Sequence, residues 1–271
     1  MSQPLADAEA AIRAGQPKAA LAQLTAAVKA APANAQLRVF MAQLLCVLGQ
    51  WGRAHTQLNV VADMDDKAGP MREMVGHALR CELMREAVFA GRRSPMIFGQ
   101  PDEWLALLIE SLLRQAEPEL SRSLAARAFD AAPATRGMID GAPFEWIADA
   151  DSRIGPVLEA MINGRYYWVP FARLAKVAIE VPADLRDMVW LPAQLSFANG
   201  GEAVAMLPTR YPGSEKSDDE AILMARRTEW REDGPERWLG LGQRVLVTDQ
   251  GEHDLLGVRL IELEPLAAGD G

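Results

Sequence analysis

The segment Ile147-Ala148-Asp149-Ala150-Asp151-Ser152-Arg153-Ile154-Gly155-Pro156 (IADADSRIGP) sets two aspartates two residues apart, with an arginine two further on. In an extended chain alternate side chains share a face. Asp149, Asp151 and Arg153 then stand on one side, and Phe144, Trp146, Ala148 and Ala150 on the other. Two carboxylates on one face can move a proton or hold a divalent cation. That chemistry would make the chain a metal-dependent hydrolase using Asp149 and Asp151. The same residues can form a charge ladder offset by Arg153, with an aspartate capping the turn before Gly155-Pro156. No third ligand and no histidine stands nearby, so the spacing favours scaffolding or partner contact over catalysis, and no catalytic residue is assigned.

Other segments carry weaker chemistry. RYYWVPF (Arg165 to Phe171) is the most aromatic stretch. Alternating aromatics belong by default to a strand core, although an exposed half of the strand could instead be a contact surface, one face serving each purpose. LPTRYPGSEKSDDEA (Leu207 to Ala221) reads as a mobile surface loop in which Arg210 could meet an anion. GLGQR (Gly240 to Arg244) holds two glycines of the dinucleotide fingerprint with no helix expected after it, and fails as a nucleotide site. No phosphate loop, glycine-flanked nucleophilic serine or zinc-protease helix occurs. The histidines His55, His77 and His253 are scattered, and Cys46 and Cys81 lie in helix-like apolar patterns. The expectation is no cofactor, no metal site and two buried thiols in a reducing compartment.

These segments sit in a chain of 271 residues that is 49% hydrophobic and 24% charged, enough for a sizeable core. The net charge of -9 is unevenly placed. Residues 1–140 carry 15 basic and 15 acidic side chains, and residues 141–271 carry 13 basic and 22 acidic. That bias excludes the usual nucleic-acid binder and suits either solubility or a basic partner surface. No uninterrupted apolar run of about 18 residues occurs, and the N-terminus lacks a basic start before an apolar stretch. A cytoplasmic protein without membrane contact is expected.

The elements that must position these residues change character near residue 137. ADAEAAIRAG, PKAALAQLTAAVKAAP, AQLRVFMAQLLCVLGQ and WGRAHTQLNVVADMD have helical periodicity. Gly15 and Gly49 lie 34 residues apart, as do Ala8 and Ala42, Ala20 and Ala54, and Leu24 and Leu58. A period of 34, with glycine between helices and small residues at their crossings, is the tetratricopeptide pattern. EMVGHALRCELMREAVFAG predicts one more helix ending at Gly91, and PDEWLALLIESLLRQA with PELSRSLAARAFDAAP predicts a worn third hairpin. So short an array needs a neighbour to cover its end. Beyond residue 137 strand signals dominate: VLEAMI-NG-RYYWVPF, MVWLPAQLSFA-NGG-EAVAMLPTRY, and two final strands in QRVLVTDQGEHDLLGVRLIEL. SDDEAILMARR is a candidate helix, and Pro192 and Pro208 should lie at strand edges or bulges. The expected fold class is multidomain: a tetratricopeptide-like helical repeat domain over 1–137, packed on a mainly antiparallel α+β domain with a twisted sheet over 138–271.

Several phrases together resemble one family. FMAQLLCVLGQWGRAHTQL, CELMREAVFAG, FEWIADADSRIGPVLEAMINGRYYWVPF, LRDMVWLPAQLSFANGG, PTRYPGSE, ARRTEW and GLGQRVLVTD are similar to the ImpE family, also called TagJ, of type VI secretion accessory proteins. The likeness runs in order from about residue 8 to residue 263. It implies a cytoplasmic accessory component without enzymatic activity. It also implies a helical repeat-like first half and an α+β second half. Some members bind the N-terminal helix of the small sheath subunit, TssB, and are linked to sheath recycling by the AAA+ ATPase ClpV. It supplies no catalytic residues. Helix-in-groove recognition suits a repeat array. The candidate partner-binding residues are Arg38, Phe40, Trp51 and Trp104 on the repeats, and Asp149, Asp151, Arg153, Tyr166, Tyr167 and Arg210 on an aromatic–acidic surface.

Overall fold

The computed structural model describes residues 3–264. Helices fill the first half: α1 (Gln3–Arg13), α2 (Pro17–Ala30), α3 (Ala35–Val47), α4 (Trp51–Met64), α5 (Gly69–Phe89), α6 (Glu103–Leu113) and α7 (Pro118–Ala131). Prolines open α2, α5 and α7, where a missing N–H costs nothing. Asn34 caps α3 by accepting the Leu37 N–H at 3.2 Å. The repeat glycines work as their spacing predicts. Gly15, Gly49 and Gly91 all adopt positive φ just after α1, α3 and α5. In each case the next residue's N–H reaches back to a helix carbonyl: Gln16 to Ala11, Gln50 to Leu45, Arg92 to Ala87. Ala8, Ala20, Ala42 and Ala54 are buried, so the hairpins approach closely where the sequence places small residues.

The second half is built from strands. A nine-stranded sheet runs in the order β1-β6-β5-β9-β8-β7-β14-β2-β3. Its members are β1 (Met96–Ile97), β2 (Gly137–Ile139), β3 (Ala142–Phe144), β5 (Val157–Ile162), β6 (Arg165–Pro170), β7 (Leu174–Ile179), β8 (Trp190–Phe197), β9 (Glu202–Pro208) and β14 (Leu260–Leu263). Beside it lie a ribbon of β10 (Thr228–Glu232) and β11 (Trp238–Gly242), and a small sheet ordered β13-β12-β4. That small sheet comprises β4 (Ile147–Asp149), β12 (Val245–Thr248) and β13 (Gly251–Asp254). Asn163 and Gly164 both take positive φ in the β5–β6 hairpin, the turn their dipeptide dictates.

Local expectations are refined at four places. The last segment gives three strands, because β14 leaves the β12–β13 hairpin and joins the large sheet. The candidate helix in SDDEAILMARR is a single turn, α8 (Glu220–Leu223). Pro208 ends β9, whereas Pro192 lies inside β8 opposite Met206. The Pro192 carbonyl accepts the Glu180 N–H beyond β7, so its missing donor falls where pairing to β7 stops. The fourth is β1, a strand from the helical half that pairs parallel to β6.

One apolar cluster joins the two halves. Leu24, Leu45 and Leu105 from the helices share it with Trp168, Trp190 and Tyr211 from the sheet half. A second cluster, including Leu158, Phe171, Leu195 and Ile261, lies within the sheet half. Helices α3 and α5, whose faces would line an open repeat groove, pack on the turn Leu185–Met188 and on β6.

Candidate functional site

Asp149 and Asp151 face inward. Strand β4 ends at Asp149, and the chain then turns tightly over Asp151 to Gly155. The Asp149 carboxylate accepts the Asp151 N–H at 2.8 Å. Asp151 accepts the Arg153 N–H and the Gly240 N–H, each at 2.8 Å, and the Arg153 Nε–H at 2.9 Å. The expected two-sided pattern is present, and the charged side is the inner one: Asp149 and Asp151 are sealed inside, while Trp146 is exposed and Ala148 and Ala150 are half-buried. Phe144 departs from it, buried in β3 ahead of a break at Glu145 and Trp146.

Arginines explain why the charged side can face inward. Arg244 lies 3.1 Å from Asp149 and also pairs with Glu159 on β5. Arg85 of α5 grips Glu159 from the other side, Nε at 2.6 Å and Nη2 at 3.1 Å. Tyr166 donates its hydroxyl to Glu159, and the Trp168 indole N–H donates to Tyr166 at 2.7 Å. Buried carboxylates are tolerable only when paired and hydrogen-bonded in this manner. Burial lowers Arg244 to about 10, against the pull of Asp149, which leaves it cationic at neutral pH. Burial likewise pushes the thiols of Cys46 and Cys81 up to about 12 and about 11, so both stay protonated and unreactive. Among the described residues no group of three His, Cys, Asp or Glu side chains converges on a metal-sized site. The acid–base or cation reading of Asp149 and Asp151 loses its basis, because arginines already occupy the positions a cation would take.

The other candidates separate into interior and surface. Tyr166, Trp104 and Arg210 are buried. The loop expected to be mobile around Arg210 is instead a strap: Arg210 donates to the Val47 carbonyl at 2.7 Å, at the end of α3, and to the Leu223 carbonyl. Farther along, Arg226 donates to the Ile12 and Arg13 carbonyls at the end of α1. Cations from the second half thus satisfy the orphan carbonyls of the repeat helices. Tyr167 is half-buried against Phe98, ring centroids 5.7 Å apart. The glycines of GLGQR are packing devices, since a Cβ at Gly240 would collide with the Tyr211 ring. Arg153 lies over the Phe89 ring at 5.2 Å and lines a polar cleft of about 350 Å³ with Arg85, Glu86 and Lys216.

Arg38, Phe40 and Trp51 remain partly accessible. Arg38 is held by the Pro32 carbonyl and Gln57, and Phe40 packs on the core. Trp51 packs against Trp190 at 5.7 Å and opens onto a groove of about 720 Å³ between α4 and α5. Leu79 and Leu83 line this groove, Gly52 and Gly76 leave room in it, and Gly49, Arg53, His55 and Arg80 are also part of its lining. Leu83 is 61% exposed. Sequence reasoning missed Arg85, Glu159, Arg244 and Leu83. Two signals were available: Glu159 is the only charge in VLEAMI, and Arg85 shares a helical face with Ala78, Cys81 and Val88.

This geometry defines a class of protein: a short tetratricopeptide-type array whose turns are clamped by an α+β half, with a charge network sealed in the interior. Comparison places it more closely. Residues 11–73 match the tetratricopeptide repeat family, and residues 141–262 match the family described as ImpE protein. The chain is 49% identical over 263 residues to the type VI secretion system accessory component TagJ of Pseudomonas aeruginosa, covering 96% of this chain and 92% of that one. The chain belongs to the ImpE/TagJ family. A crystal structure of a Vibrio parahaemolyticus protein shares its fold, with a TM-score of 0.87 at 24% identity over 97% of this chain and 99% of the other.

Proposed function

We propose that this chain is a non-enzymatic, cytoplasmic accessory protein of a type VI secretion apparatus, docking the N-terminal helix of a TssB-like small sheath subunit in the groove between α4 and α5. The observation that carries the site is that groove, lined by Trp51, Leu79 and the 61%-exposed Leu83. Helix-in-groove recognition needs an apolar trough with room for side chains at helical spacing. Glycines at 52 and 76 provide that room. Membership of the family, and the Pseudomonas relative's place as a type VI secretion accessory component, support the secretion setting. The two helical faces that an open array would offer are already covered by the sheet half, which favours α4–α5 as the free face. Through the sheath subunit the protein would act indirectly with a ClpV-like AAA+ ATPase. The arginine-locked carboxylates, which leave Asp149 and Asp151 no access to a substrate, support the non-enzymatic reading.

The test is fluorescence anisotropy with a labelled peptide of the sheath subunit's N-terminal helix. Leu83→Glu should weaken binding by roughly thirtyfold or more, as expected for an anchor worth about 2 kcal/mol. Folded wild-type protein that fails to bind at tens of micromolar would remove the proposal.

A further inference from the structure

With its aspartates inward, β4 leaves an apolar face on the outside. The register pairs Val247 with both Ala148 and Glu252, placing these three in one row across the small sheet. Alternation adds Ala150 and Trp146 to the same outer face, and the exposed Asp254, two residues beyond Glu252, stands on the same side opposite the buried Val245. On the neighbouring ribbon Trp230 and Trp238 share a face, with Glu232 directly opposite Trp238. Two clefts meet at Ala150. One, of about 340 Å³, is walled by Phe129, Pro133 and Trp146. The other, of about 300 Å³, is walled by Trp230, Trp238 and Glu252. Trp146, Phe129 and Trp238 are 38%, 37% and 46% exposed.

The buried aspartates hold this surface in shape. Ser152 donates its N–H to the Trp238 carbonyl and accepts the Trp238 N–H, both at 2.9 Å. Asp151 accepts the next alternate N–H, that of Gly240. The Trp238 backbone is therefore held before any partner arrives, which lowers the ordering cost of binding there. Glu232, Glu252 and Asp254 stand among them without an ion pair among the described residues. They belong to the half of the chain that carries the whole net charge of -9.

We infer that this aromatic–acidic face is a second docking surface, taking a basic amphipathic segment of a partner protein. Its apolar side chains would seat on Trp146 and Trp238, and its lysines or arginines would meet Glu232, Glu252 and Asp254. Charge complementarity selects this occupant. A second copy would set these unpaired acids against one another. The face shares no lining residue with the α4–α5 groove, whose charged lining residues are basic, so the inference stands apart from the sheath proposal. Two oppositely charged surfaces are what an adaptor between two partners requires.

The experiment titrates the full chain with two labelled synthetic peptides of equal length, a helix-periodic Leu/Lys peptide and its Leu/Glu counterpart. The Lys peptide should bind at least about tenfold more tightly than the Glu peptide. The Trp146→Ser/Trp238→Ser variant and the Glu252→Lys/Asp254→Lys variant should each lose at least about tenfold. Asp63→Lys/Asp66→Lys, at the end of α4, serves as the control for general electrostatic attraction and should leave binding within about twofold. Equal binding of the two peptides, or an equal loss in the control, overturns the inference. So does a concentration-dependent dimer in sedimentation that the tryptophan variant abolishes, because it gives the face to a second copy.

Discussion

Asp149 keeps its proton at a pH where ordinary aspartates have lost theirs. Burial pushes its pKa from 3.8 up to about 6, against the pull of Arg244 and with a further push from Asp151. The folded state therefore binds this proton more tightly than the unfolded chain, and the group's stabilising contribution is full below about pH 4 and lost as pH rises through about 6. A shift of about two pKa units corresponds to roughly 3 kcal/mol. Asp149→Asn keeps an oxygen to accept the Asp151 N–H and cannot ionise. Urea unfolding between pH 4 and pH 7 should show wild type losing stability relative to this variant as pH rises, by up to roughly 3 kcal/mol. Parallel curves would mean that Arg244 holds Asp149 ionised throughout. Either result bears on the role of the segment, which is to lock β4, β11 and the Arg244 network together.

At the scale of elements, what could be read from sequence is what short-range physics determines. The 34-residue spacing, the glycines at helix ends, the buried alanines and the Asn163-Gly164 hairpin all follow from neighbours within one or two elements. The direction in which β4 faces does not. It depends on Arg244 and, through Glu159, on Arg85, which are 95 and 64 residues away from Asp149. The strap from Arg210 to Arg226 was equally hidden, because its partners are carbonyls of α1 and α3, a type of acceptor every residue carries. Alternation identified the two faces of the IADADSR segment and could not say which one is inside. The repeat turns offer a direct check on the strap. Gly49 has φ +66, and a Cβ there would lie 2.7 Å from the Glu215 Cβ. Gly49→Ala should cost about 1–2 kcal/mol for the left-handed backbone, and more for displacing the strap. Gly52, three residues on, has open space and ordinary helical backbone, so Gly52→Ala should stabilise by up to about 1 kcal/mol. Thermal melts of the two variants should move in opposite directions.

At the scale of the molecule, the helical array and the sheet half have no separate interiors at their junction. Trp168, Trp190 and Tyr211 are buried in the same cluster as Leu24, Leu45 and Leu105, β1 is donated by the helical half to the large sheet, and α1 and α3 end on arginines of the second half. Removing residues 138–271 would expose the helical face that these three aromatics cover and leave those helix ends uncapped. Burial of a large apolar side chain is worth about 1.5–3 kcal/mol, so three lost aromatic contacts approach the roughly 5–15 kcal/mol that stabilises a typical domain. The fragment 1–137 should therefore retain helical circular dichroism yet melt without a sharp transition, and its amides should exchange quickly. The full chain should unfold in one calorimetric transition whose van't Hoff and calorimetric enthalpies agree. Two resolved transitions, or a fragment with a cooperative melt of its own, would make the halves independent bodies. The distinction matters for binding at either surface. In a single cooperative body, a partner seated on the α4–α5 groove stabilises the same folded state that presents the tryptophan face. Each ligand should then raise the melting temperature of the whole chain, whichever surface it uses.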